Sequence, residues 1–243
     1  MSAQNSTLFI SDLHLDPQHP EITETFFYFL EHIAPGADAL YILGDFFESY
    51  IGDDDCDNAF MQSIIRMLSY TTESGLPIFF MHGNRDFLIG KNFENKTGIT
   101  LIPDPTLITL YDQKILLMHG DSLCTQDRNH QRFRKIAHNR LAQKIFLWLP
   151  LSFRKKVAKD LRYESKKHNL KKSREIMDVC DDSVVSEMKK YDVNRLIHGH
   201  THRPAIHLLE NNKERMVMDA WHGHGNYLQI DQAGVATLIN IPQ

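Results

Sequence analysis

Three cysteines in 243 residues, Cys56, Cys124 and Cys180, are too few and too widely spaced for a disulfide framework or a C-x-x-C metal pair. Their scarcity points to a reducing compartment. No uninterrupted apolar stretch approaches the roughly 18 residues that cross a bilayer. The polar first seven residues lack the basic and apolar regions of a signal peptide, so the chain is expected in the cytoplasm. Internal repeats and low-complexity tracts are also missing. What is present is a 42% hydrophobic chain of a length that suits one domain, or one domain carrying an insertion. Such a chain buries a substantial core without disulfides or a structural metal.

Charge is distributed unevenly. Between Thr125 and Arg174 lie 16 of the 27 lysines and arginines, against three acids, Asp127, Asp160 and Glu164. That window carries +13 and leaves −17 on the rest of a chain whose net charge is −4. What the basic window binds is therefore a separate question from the near-neutral balance of the whole.

The first half alternates strand and helix signals. Short apolar runs at Leu8–Ile10, Ala39–Leu43 and Pro77–Met81 read as buried strands, separated by amphipathic helices over Glu21–Ile33 and Ala59–Ser69. Further runs at Ile115–Met118 and Arg195–Ile197 complete the series. From Thr125 to Lys190 the pattern changes to long helical stretches with few glycines. Pro150 divides Phe133–Leu149 from Ser152–Leu170, which predicts a helical hairpin. Because the strand pattern resumes at Arg195, residues 125–190 read as a basic helical insertion within a single domain spanning 1–243. The tail from Met216 to Ile241 is strand-rich, with turn signals at Gly223–Asn226 and Asp231–Gly234.

Each strand ends in a polar cluster. The clusters are Asp12-x-His14, Gly44-Asp45, Gly83-Asn84-Arg85-Asp86, His119-Gly120-Asp121 and Gly199-His200-Thr201-His202. In α/β sheets ligands sit beyond the carboxyl ends of strands, so these loops can converge on one site. Mixed imidazole and carboxylate donors suit a first-row divalent ion. In an extended segment, residues separated by one point the same way, so Asp12 with His14 and His200 with His202 can act as pairs. Seven such donors exceed what one open catalytic ion uses, which predicts two.

The ordered series DLH, GDFFE, GNRD, HGD and GHTH resembles the calcineurin-like metallophosphoesterases over residues 12 to 202. The resemblance implies an α/β fold, a two-sheet β-sandwich flanked by helices, with the helical insertion capping the site. It implies one ion held by Asp12, His14, Asp45 and His202 and another by Asp45, Asn84, His119 and His200, with Asp45 bridging. Asp86 and Asp121 would orient the ligands.

Most of that family has histidine where this chain has Arg85. Arginine does not give up its proton near neutral pH but offers a planar fork to phosphate oxygens. A phosphate departing from a pyrophosphate needs no protonation and suits the change. With the wording DLHL, GDFFE, GNRD and HGHTHRP and the basic insertion, the chain is similar to the UDP-2,3-diacylglucosamine hydrolases of lipid A biosynthesis. That likeness implies attack on the α-phosphorus with two Mn2+ ions bound, releasing UMP and 2,3-diacylglucosamine 1-phosphate. It implies catalytic roles for Asn84, Arg85 and His200, and substrate contacts at those residues and at Asp127, Ser165, Asn169 and Lys172. A monomer at the cytoplasmic face of the inner membrane, peripherally associated, is implied as well.

The apolar run Ile145–Leu151, flanked by Lys144 and Arg154-Lys155-Lys156, fits a membrane surface or a greasy ligand with an anionic head. The rival readings are a metal-dependent phosphodiesterase or nuclease of the same fold, with the basic window tracking phosphates, and a non-catalytic interaction module. Every expected ligand position carries a competent donor, which disfavours the module. His19, His32, His130, His138 and His207 read as ordinary core or surface residues. Cys124 reads as packing, and the acidic run Asp53–Asp57 as a solvated loop without EF-hand spacing. His222 and His224 carry no assigned role.

Overall fold

The computed structural model describes residues 5–169 and 178–242. In chain order the strands are β1 (Ser6–Ile10), β2 (Ala39–Leu43), β3 (Ile78–Met81), β4 (Thr100–Ile102), β5 (Thr106–Leu110), β6 (Gln113–Leu117), β7 (Arg195–His198), β8 (Ala205–Leu209), β9 (Lys213–Val217), β10 (Asn226–Asp231) and β11 (Ala236–Asn240). The α-helices are α1 (Pro20–Tyr28), α2 (Ala59–Glu73), α3 (Lys91–Thr97), α4 (Arg128–Ala137), α5 (Arg140–Leu147), α6 (Leu151–Asn169) and α7 (Asp181–Lys190).

Two mixed sheets form, ordered β11-β10-β1-β2-β3-β4 and β5-β6-β7-β9-β8. Strands β1 to β4 are mutually parallel, as are β6, β7 and β9, while β10, β11, β5 and β8 run antiparallel to their neighbours. The continuous apolar runs of the sequence have a direct cause: both faces of these strands are covered. In β2, Leu40 and Ile42 face the core beneath the helices, while Ala39, Tyr41 and Leu43 face the second sheet. In β6, Ile115 and Leu117 face the first sheet and Leu116 packs against Val184 and Met188 of α7. The fold is an α/β sandwich of two sheets flanked by helices, as expected.

Several boundaries differ from the sequence reading. The expected helix over Glu21–Ile33 is α1 followed by a π-helical turn, Phe29–Ile33. The stretch Phe133–Leu149 is not one arm of a hairpin. It breaks at Asn139, whose side chain accepts hydrogen bonds from the Leu141 and Ala142 amides and so caps α5 as a separate helix. Strands β4, β5 and β8 have no counterpart in the sequence reading. β5 and β8 alternate half-buried with exposed residues, and β4 is only three residues long.

The acidic run after Gly52 is not simply solvated. Asp53 accepts from the amides of Gly90, Asn92 and Phe93 at the start of α3. Asp54 pairs with Arg154, and Asp55 lies 2.7 Å from Lys155. Acids of the core thus meet bases of the helical segment, the two sides of the charge asymmetry.

Candidate metal centre

Parallel strands β1, β2, β3, β6 and β7 deliver their following loops to one end of the sandwich. The backbone there is unusual. Asp12 (φ 56°), His14 (52°), Asp45 (50°), His200 (67°) and His202 (53°) are all left-handed, a region that side chains other than glycine seldom adopt. Each such residue costs about 1–3 kcal/mol and persists only where surrounding packing imposes it. The loops also approach closely. Gly44 has φ 87°, and a Cβ there would lie 2.6 Å from Gly83 Cα and 2.7 Å from His119 Nδ1.

Two donor groups result. Asp12, His14 and His202 form one and Asp45, His119 and His200 the other, with the candidate ligand atoms of each group within 4.8 Å of one another. In the first, the Nε2 atoms of His14 and His202 face each other at 3.5 Å. Asp12 Oδ1 is 3.3 Å from His202 Nε2, buried and without a hydrogen bond. In the second, His119 Nε2 lies 3.7 Å from Asp45 Oδ1 and 3.2 Å from Asn84 Oδ1. His119 Nδ1 donates to the Leu43 carbonyl at 2.8 Å, which turns Nε2 toward the site. A buried carboxylate oxygen with no donor, between imidazole nitrogens, is a donor set that fits a divalent cation. All seven positions expected to ligate are brought together.

The electrostatics divide the four histidines: His14 and His200 are lowered, while His119 and His202, despite burial, are raised by the carboxylates beside them. Burial, then the charge of Arg85, pushes His14 down to about 2. Burial and the charge of His119 hold His200 well below the ordinary histidine range. Both imidazoles are neutral near pH 7, the form that coordinates metal. For His119, burial acts downward but the charges of Asp45, Asp121 and Asp12 outweigh it and raise it to about 9. Burial and the neighbouring Asp45 raise Asp86 to about 7. Asp86 accepts from the Phe46 and Gly83 amides, both at 2.7 Å, and so ties the Asp45 and Asn84 loops together. Asp121 instead reaches the helical segment, where it pairs with Arg134 of α4 and lies 3.5 Å from His130.

Beside the metal residues opens a cavity of about 620 Å3. Asn84, Arg85, Asp127, Ser165 and His200, all expected to touch substrate, line it. The side chain of Asn169 and the whole of Lys172 lie outside the described residues. Arg85 sits 3.4 Å from Asp45 Oδ2 and 2.7 Å from Glu48 Oε1.

Three residues of the site were missed in the sequence. His130 lines the cavity and its ring lies 5.3 Å from that of His200. Arg162, pushed down to about 10 by burial and then by Arg85, faces it from α6. Glu48 lies 3.4 Å from His14. Of these, only Glu48 could have been flagged, by its place in the GDFFE motif. His222 stands just outside, its ring 5.7 Å from that of His202.

Cys124 is buried, and burial with the charge of Asp121 raises its thiol to about 12. Alkylation requires the thiolate. At pH 8 the folded protein should therefore leave Cys124 unmodified by iodoacetamide over an hour, with full labelling after unfolding. Peptide mass spectrometry reads both states, and ready labelling of the folded form would contradict the burial.

The chain matches the calcineurin-like phosphoesterase family over residues 6–204. Proteins named UDP-2,3-diacylglucosamine hydrolase from Yersinia pseudotuberculosis serotype O:1b (strain IP 31758) and from Yersinia pestis are each 47% identical to it over 240 residues, covering 98% of this chain and 99% of theirs. Among solved structures, vacuolar protein sorting 29 of Cryptosporidium parvum is similar at 14% identity, with 98% of this chain and 96% of that chain covered and a TM-score of 0.49. The chain belongs to the calcineurin-like phosphoesterase family, as a metal-dependent hydrolase with two adjoining divalent-metal positions.

Proposed function

We propose that the chain hydrolyses the pyrophosphate bond of UDP-2,3-diacylglucosamine, yielding UMP and 2,3-diacylglucosamine 1-phosphate for lipid A biosynthesis. One observation carries this reading: a single cavity is lined both by metal-site residues and by bulky apolar side chains. Asp45, Asn84, Arg85 and His200 line it together with Phe87, Leu88, Phe133, Phe146 and Leu161. A diphosphate with attached acyl chains needs both surfaces together, and the volume lies within the range of small-molecule sites. The 47% identical relatives carry the name of that substrate.

In this reading Asp12, His14, Asp45 and His202 would hold one Mn2+ ion, and Asp45, Asn84, His119 and His200 the other. When bound, such a pair makes water a nucleophile at neutral pH and offsets charge on the phosphoryl oxygens. The water oxygen bonds to the α-phosphorus as its protons pass to solvent, the bond from that phosphorus to the bridging oxygen breaks, and the sugar 1-phosphate leaves as an anion with the bridging oxygen. Arg85 presents two N–H groups to the phosphate oxygens, a geometry that favours tight bidentate pairing. Asn84 and His200 face the same space, Asp127 and Ser165 bind from the helical side, and the departing phosphate requires no proton donor.

Residues 125–190 then act as a cap within one domain. Trp148, 87% exposed, stands with Leu141 and Ile145 beside Arg140 and Lys144 on or next to α5. Such an apolar and basic face supports peripheral contact with an anionic membrane surface. Among the described residues no helix is long and apolar enough to cross a membrane.

Purified protein incubated with the diacylated UDP-sugar should release UMP with Mn2+, lose that activity in EDTA and regain it on adding Mn2+. In water labelled with ¹⁸O, the label should enter UMP. Absence of UMP release at saturating Mn2+ would sink the proposal. Cleavage of single-stranded DNA instead would favour a nuclease of the same fold.

A further inference from the structure

Arg154, near the start of α6, is 1% exposed although it is charged. Every part of its guanidinium is engaged. Nη1 donates to the Ile51 carbonyl at 2.5 Å and to Asp54 Oδ1 at 2.9 Å, Nε donates to the Leu149 carbonyl at 3.0 Å, and Nη2 pairs with Asp54 Oδ2. The fit leaves no slack at Gly52, where an added Cβ would lie 2.5 Å from Nη1 and 2.7 Å from Leu147 Cδ2. Lys155, beside it, lies 2.7 Å from Asp55.

Both partners of this joint lead to the reaction centre. Ile51 and Asp54 belong to the loop that leaves β2 through Asp45 and Glu48, and Tyr50 of the same loop donates its amide to the Arg85 carbonyl at 3.1 Å. On the helix, positions 158, 161, 162 and 165 follow 154 at intervals that keep one face of an α-helix. Ala158, Leu161, Arg162 and Ser165 all line the cavity. The helical face clamped by Arg154 is therefore the face that roofs the site.

We propose that the Arg154–Asp54 joint is a positioning device, fixing α6 to the metal-bearing loop and setting where Leu161, Arg162 and Ser165 stand over the substrate. Ser165 lies about 16 Å along the helix from Arg154. A tilt of about 5° at the joint moves it by roughly 1.4 Å over that length. These three residues stand over the substrate away from the metal ligands, so such a shift weakens binding and leaves the chemical step nearly as it was. Substrates that do not reach the cap are indifferent to the joint.

The test uses Asp54→Asn, since Asp54 is well exposed and lies outside the cavity. Its kinetic arm rests on the substrate proposed above. With the diacylated UDP-sugar and Mn2+, KM should rise about tenfold with kcat within twofold. Hydrolysis of bis(p-nitrophenyl) phosphate, too small to need the cap, should stay within twofold of wild type, and Asp54→Glu should recover most of the KM. Hydrogen exchange supplies a second arm that needs no substrate: amides of residues 151–165 should exchange at least tenfold faster in Asp54→Asn, with those of β1 and β2 unchanged. An unchanged KM beside an active wild type, or equal losses on both substrates, overturns the proposal. If wild type ignores the UDP-sugar, the substrate reading fails instead, and exchange alone decides: unaltered protection of α6 overturns the joint. Arg154→Met, combined with the same exchange measurement, checks the partner.

Discussion

Asp45→Ala is expected to lower turnover by about 10³-fold or more while leaving the metal-free protein folded. Removing one preorganised electrostatic contact at a reaction centre costs about 10²–10³ in rate, and Asp45 belongs to the donor group with His119 and His200 and is proposed to bridge to the other. Its Oδ1 accepts from the Arg85 amide at 2.9 Å and lies 3.7 Å from His119 Nε2. Burial raises its carboxyl above the ordinary range when no cation is present, so charge at this position burdens the bare fold. Thermal melts should separate the two effects. Mn2+ at 100 times its Kd stabilises a protein that binds it by about 2.7 kcal/mol, so wild type should melt markedly higher with Mn2+ and Asp45→Ala should hardly respond. Without metal the variant should melt at or above wild type. Full metal occupancy by elemental analysis, with activity retained, would refute the bridging role.

Arg85→Ala should keep metal and lose about 10²–10³ in kcat. The guanidinium reaches the cavity from a backbone tied to the Asp45 loop and lies between Asp45 and Glu48, with 21% of its side chain accessible. It is thus held beside the metal residues while still open to a ligand. A lysine carries the charge but not the planar fork, so Arg85→Lys should regain only part of the loss. Two results are needed: Mn2+ content by elemental analysis unchanged, and turnover of the UDP-sugar strongly reduced. Near-normal turnover would remove Arg85 from the proposed mechanism.

How far the sequence was readable follows from what each residue depends on. The run Ala39–Leu43 declares itself because both its faces are buried, so every position is apolar. β5, Thr106–Leu110, does not, because its exposure alternates and its residues are ambiguous without a partner strand. The break at Asn139 was lost because long apolar-and-basic helices look continuous until a cap is seen. His130 reads as ordinary in the sequence because nothing in its neighbours links it to His200, 70 positions later. Only the docking of α4 brings the two rings to 5.3 Å.

The chain alone determined the alternation of buried strands with helices and the types of metal donor at the strand ends, because strand patterning and ligand chemistry are local properties written in short motifs, while the two-sheet sandwich was implied by the family resemblance those motifs carry. Tertiary structure decided the rest. The left-handed backbone at Asp12, His14, Asp45, His200 and His202, the meeting of metal-site and apolar residues around one cavity, and the clamp from Arg154 to Asp54 each depend on segments distant in the chain. Their cost is met by packing between those segments, and no single stretch of sequence records it.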